Sequence, residues 1–109
     1  MDDTLEIKVA ANESLFREAN EGIERGLWPE EEARRTRFRC ECAQLECNQA
    51  VLLTVPEYER VRENPRRFFV LDGHQRPGSE VVVERHDGYL VVEKIATAGR
   101  AAERLDPRT

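Results

Sequence analysis

Three cysteines fall within eight residues, Cys40-Glu41-Cys42-Ala43-Gln44-Leu45-Glu46-Cys47, and the chain has no others. An odd number of thiols in one short segment is not a disulfide framework; it reads as a ligand set or as free thiols in a reducing compartment. Side chains alternate along an extended strand, so Cys40 and Cys42 point to one face. A turn over residues 43–46 then brings Cys47 back to the same point. Zinc takes four ligands in a tetrahedron, and closely spaced cysteines supply several of them at low entropic cost. The spacing is less specific than paired C-x-x-C motifs, which are absent.

Three thiols leave one coordination place, and the chain has two histidines. His74 follows Gly73 in a turn-rich loop, where a ring can swing to a metal. His86 sits beside a hairpin turn and reads as a solvent-facing partner of Tyr89. The expected set is therefore Cys40, Cys42, Cys47 and His74, with His86 as the alternative fourth ligand. Such a set is closed and structural, because a catalytic zinc keeps a position open for water or substrate. The competing readings are three small buried thiols, an iron–sulfur cluster completed by a histidine, or a redox centre. A redox sensor needs an accessible thiol of low pKa, which Arg37 or Arg39 would have to provide.

At 109 residues the chain is one domain's worth, with 39% hydrophobic and 36% charged residues. Its apolar content falls short of a typical domain, so a metal staple suits it. Val81-Val82-Val83 and Leu90-Val91-Val92 flank Asp87-Gly88, the favoured pair for a two-residue hairpin turn. In that register Val81 and Val83 share a face with Leu90 and Val92. Arg37 to Cys40, Ala50 to Thr54 and Phe68 to Leu71 read as further strands. Thr54-Val55-Pro56-Glu57 matches a capping box that opens a short central helix, ended by Asn64-Pro65. Phe16, Ala19 and Ile23 recur at helical spacing and predict an N-terminal helix over about residues 13–25, capped by Asn12 and stopped at Gly26. Residues 1–11 read as a weak strand or a disordered lead-in, and Trp28 is expected to pack on the core. Within residues 97–109 a tail helix is expected from Thr97 to Leu105. The expectation is a single α+β domain, a small zinc-stapled antiparallel sheet with an N-terminal and a short central helix.

Of the 17 basic residues only Lys8 and Lys94 are lysines, and the net charge is −5. An acidic balance argues against a generic nucleic-acid coat or a basic membrane patch. A local patch remains open for nucleic acid, built from Arg35, Arg37, Arg39, Arg66 and Arg67, with Phe38 and Phe68 available to stack on bases. Eight acids share residues 30–67 with eight arginines, so salt-bridged solvated faces are the competing account. No apolar run reaches membrane-spanning length, and the acidic start Met1-Asp2-Asp3-Thr4 lacks a signal peptide's basic region, which points to the cytoplasm. No G-x-S-x-G, phosphate loop, H-E-x-x-H or deaminase pattern occurs. Enzyme chemistry survives only as a three-cysteine metal with a water, and Glu41 or Glu46 as general base. A non-enzymatic interaction module that meets a protein partner is the leading expectation. An arginine-patch nucleic-acid or transcription-complex binder and a thiol redox sensor are the alternatives.

Several stretches together resemble a family of short proteins from high-GC actinobacteria. They are Phe16-Arg17-Glu18-Ala19-Asn20-Glu21, Cys40-Glu41-Cys42 with Cys47, Pro56-Glu57-Tyr58-Glu59-Arg60-Val61-Arg62, Gly73-His74, and Val83-Glu84-Arg85-His86-Asp87-Gly88-Tyr89 through Lys94. The resemblance covers residues 13 to 108. It implies one natural domain and no particular activity or partner.

Overall fold

Val9, Ala10, Glu13, Phe16, Arg17, Asn20 and Glu21 recur at intervals of three and four residues, and all are buried. Such a stripe is one face of a helix. In the computed structural model, which describes residues 3–42, 44 and 46–108, that helix (α1) runs over Asp3–Arg25. It begins ten residues before the expected start. The alternation of Leu5, Ile7 and Val9 is too short to compete, because Val9 and Ala10 continue the buried stripe by a further turn. Met1 and Asp2 of the expected lead-in lie outside the described residues.

After α1 a single 3-10 turn, Pro29–Glu31, leads into β1 (Thr36–Arg39), which pairs antiparallel with β2 (Ala50–Leu53). Trp28 does not join the core: it is 69% exposed. Its backbone N–H is taken by Glu31 Oε1 at 3.2 Å, which holds the residue at the start of the turn with its indole outward. The central helix α2 (Val55–Arg62) opens with the expected capping box, Thr54 N–H donating to Glu57 Oε1 at 2.8 Å and Glu57 N–H to Thr54 Oγ1 at 3.3 Å. The remaining strands β3 (Arg67–Val70), β4 (Glu80–His86) and β5 (Tyr89–Lys94) form a second antiparallel sheet in the order β3-β5-β4. Among the described residues the expected α+β arrangement of antiparallel strands is thus divided between two small sheets. They meet where Glu41 N–H donates to the Phe69 carbonyl at 3.0 Å. α3 (Ala96–Arg104) closes the fold along α1 and stops one residue short of the expected Leu105.

The aromatic centre joins three elements. Phe38 of β1 and Tyr58 of α2 stack with centroids 4.6 Å apart, and Phe69 of β3 meets both edge-on. The expected β4–β5 hairpin turns at Asp87-Gly88, with Gly88 at φ 92°, where a side chain would be strained. Its register differs further out. A bulge at Val83 pairs Val82 with Val92 and Glu80 with Lys94, leaving Val81 and Val83 exposed. The bulge has an electrostatic reason. It delivers the buried Glu80 carboxylate to the buried Lys94 ammonium, which also pairs with Glu13 of α1 at 2.6 Å.

A second buried ion pair fixes α1 to the sheets. Arg17 Nη2 lies 2.7 Å from Glu41 Oε1, both side chains being almost wholly enclosed. The Arg17 guanidinium also donates to the Arg67 carbonyl and lies over the Phe68 ring at 3.8 Å. Asn20 Nδ2 donates to Glu41 Oε2 at 3.1 Å and to the Arg39 carbonyl at 2.9 Å, while Asn20 Oδ1 accepts from Arg39 N–H at 2.7 Å. One asparagine thus satisfies a residue of β1 as a neighbouring strand would.

Two outcomes follow. Arg17→Leu strands Glu41 in a dry site and should cost about 3–5 kcal/mol in urea unfolding, whereas the double replacement Arg17→Met/Glu41→Leu should recover most of it. Burial, offset in part by Lys94, pushes the Glu13 carboxyl up to about 7 from 4.5. Folding therefore takes up a proton between those two values; the stabilising contribution is complete below pH 4.5 and lost as pH rises through 7. Over that window the wild type should lose stability relative to Glu13→Gln, as read by thermal unfolding at stepped pH.

Candidate metal centre

β1 runs directly into Cys40-Glu41-Cys42, and strand alternation divides this tripeptide between two environments. Glu41 turns inward to Arg17, and both cysteines turn the other way. Cys40 N–H still donates to the Gln49 carbonyl at 3.0 Å, so the hairpin extends to the first thiol. The return is made by Cys47, whose N–H closes a turn onto the Gln44 carbonyl at 3.0 Å. Ala43 and Leu45 of that turn lie outside the described residues. Arg39 Nη2 donates to the Cys47 carbonyl at 3.0 Å while its guanidinium lies 4.0 Å over the Phe16 ring, which ties the turn to α1.

His74 arrives from the loop after β3. Leu71 N–H donates to Cys40 Sγ at 3.3 Å, and His74 N–H donates to the Leu71 carbonyl at 2.9 Å. Gly73, at φ 98°, provides the reversal that brings the imidazole inward. Its Nδ1 lies 3.7 Å from Cys40 Sγ and 3.7 Å from Cys47 Sγ. The three sulfurs and this nitrogen all lie within 4.8 Å of one another. The four residues expected from sequence are the four brought together, and this cluster can hold a metal ion.

The two S···N separations of 3.7 Å fit edges of a tetrahedral site. Bonds of about 2.3 Å to sulfur and about 2.0–2.1 Å to nitrogen set S···N edges of about 3.6 Å. A metal bound at Nδ1 would leave the ring proton on Nε2. The backbone also prepares the sulfurs for negative charge, with the amides of Leu71 and Cys42 directed at Cys40 and that of Gln44 at Cys42. Hydrogen bonds of this kind orient and tune thiolate ligands. Against them, burial pushes the Cys40 thiol up to about 12, and the neighbouring sulfurs add to the rise; burial raises Cys42 too. The rise at Cys40 and Cys42 runs opposite to the low-pKa, accessible thiol that a redox sensor uses. An open groove of about 470 Å³ beside His74 and Cys47, lined also by Gln44, Asn48 and Asp72, gives an ion a path in from solvent.

Glu41 is unsuited to act as a general base at this centre, because its carboxylate faces the opposite side and is held by Arg17 and Asn20. Sequence reading missed this structural part. The only signal for it was the alternation that separates Glu41 from its two neighbours. His86 stacks on Tyr89 at 4.7 Å and meets Glu84 through Nε2 at 2.7 Å, as a cross-strand partner rather than a ligand.

The arginines of the suggested nucleic-acid patch are largely engaged within the fold. Arg66 pairs with Glu103, Arg67 with Glu93 at 2.9 Å, and Arg39 with the Cys47 turn. Arg37 is exposed on β1, and Arg35 borders a cleft with Leu52 and Tyr89. Phe38 and Phe68 are buried in the core, out of reach of a base. Among the described residues no helix is long and apolar enough to cross a membrane.

The chain matches no protein-family model, no curated protein and no solved structure. The chemistry of the centre itself must carry the functional reading. His74→Ala should weaken metal retention at least about tenfold in competition with a chromogenic chelator, whereas His86→Ala should leave it unchanged.

Proposed function

We propose that the protein is a non-enzymatic interaction module stapled by one zinc ion on Cys40, Cys42, Cys47 and His74. The observation that carries this reading is the convergence of three Sγ atoms and one imidazole nitrogen within 4.8 Å. Three thiolates and an imidazole form a donor set that suits zinc, and they fill all four of its positions. No place remains for a bound water, so the ion works on the fold and not on a substrate.

Location supports the same role. The four ligands come from the end of β1, the turn before β2 and the loop after β3, so one ion ties the two sheets together. A chain of this size has a small core and gains most from such a tie. The three cysteines are unpaired, which suits a compartment that keeps thiols reduced. Exposed Trp28 and Leu52 supply apolar surface that a protein partner can cover. The reading as an arginine-patch binder is weaker, since the acids beside Arg66 and Arg67 already take up their charge.

The deciding experiment is the metal content of protein purified without added metal, with thermal unfolding before and after chelation. About one zinc per chain is expected, and a chelator or Cys42→Ser should abolish the cooperative transition, because binding energy at structural zinc sites is folding energy. A metal-free protein whose transition is untouched by Cys42→Ser would rule the staple out.

A further inference from the structure

The face of α1 turned away from the fold has an order of its own. Lys8, Ala11, Leu15 and Glu18 are all exposed and follow one another at intervals of three, four and three residues, flanked by exposed Ile7 and Ala19. Alternating spacings of three and four make the seam by which one helix packs on another. Leu15 is 59% exposed and Ile7 46%, so this seam leaves two large aliphatic side chains in water. Its charges are also unanswered within the helix. The positions three and four residues either side of Lys8 are Thr4, Leu5, Ala11 and Asn12, none acidic; those around Glu18 are Ser14, Leu15, Glu21 and Gly22, none basic.

The seam complements itself. Laid against a copy running the opposite way, with a two-fold axis at the level of Glu13, Leu15 meets Ala11, Ile7 meets Ala19 and Lys8 meets Glu18. Every contact occurs twice, as an isologous interface requires. The small Ala11 leaves room for the opposing Leu15, and both charges find opposite partners. The parallel arrangement would place Lys8 on Lys8 and Glu18 on Glu18.

We propose that α1 is the interface of a homodimer in which two copies pair antiparallel through Ile7, Lys8, Ala11, Leu15, Glu18 and Ala19. Apolar contact supplies the affinity. The exposed ion pairs contribute little energy and set direction and register. The helix is already fixed on its other side by the Arg17–Glu41 and Glu13–Lys94 pairs, so it meets its copy without first having to order. A seam of about three turns lies at the small end of specific interfaces, so association depends on concentration. This inference goes beyond the zinc staple and uses none of its ligands.

Sedimentation velocity across a concentration series, on the full chain with its metal as purified, tests the proposal. The wild type should pass from monomer to dimer, and Leu15→Glu should raise the dissociation constant at least about tenfold. Lys8→Glu and Glu18→Lys should each weaken the dimer several-fold, and the double variant Lys8→Glu/Glu18→Lys should restore it. Circular dichroism should show every variant folded, since all these side chains are exposed. A wild type that stays monomeric up to millimolar concentration would overturn the proposal. So would a dimer indifferent to Leu15→Glu, or a double reversal no tighter than the single ones.

Discussion

Taking a carboxylate out of water costs several kcal/mol, and Glu41 is wholly out of water. Arg17, Asn20 and the Phe69 amide meet that cost together, and they belong to α1 and β3. The remaining architecture follows from the arrangement. α1 must lie where its guanidinium reaches the strand end, β3 must approach from the other side, and the chain must leave β1 extended. Only then do the thiols on either side of Glu41 face together.

The same economy recurs at Lys94, whose ammonium collects one carboxylate from α1 and one from β4. Both of these pairs have α1 as a member, and Glu21 of the same helix adds Arg62 and Arg108, so the N-terminal helix is tied by ionisable side chains at three levels, near residues 13, 17 and 21. Hydrophobic burial alone fixes a helix less specifically, because apolar side chains slide past one another at small cost. In a chain whose apolar content is modest, paired charges take on part of the work of defining one arrangement.

Much of this could be read in advance where local rules decide. Alternation brought Cys40 and Cys42 to one face, the glycine before His74 marked a loop able to reach them, and Thr54 with Glu57 announced α2. What escaped depends on partners distant in sequence. Three consecutive valines suit either register of β4, and only the pairing of Glu80 with Lys94 selects the bulge at Val83. The early start of α1 rests on Val9 and Ala10 finding a surface to cover. Trp28 looked like a core residue by type, yet its backbone is pinned in a turn that holds the ring outside.

The division of Cys40-Glu41-Cys42 between two environments also limits how the hairpin can go wrong. A slip by one residue would present the carboxylate to the thiol–imidazole cluster and a thiol to the guanidinium, so both sites would fail at once. Side-chain period makes the two requirements a single test of register. A nascent hairpin that passes it has also placed the first two thiols of the cluster that can hold a metal ion, and an ion bound there would proofread a pairing that the Arg17–Glu41 pair behind it has already chosen.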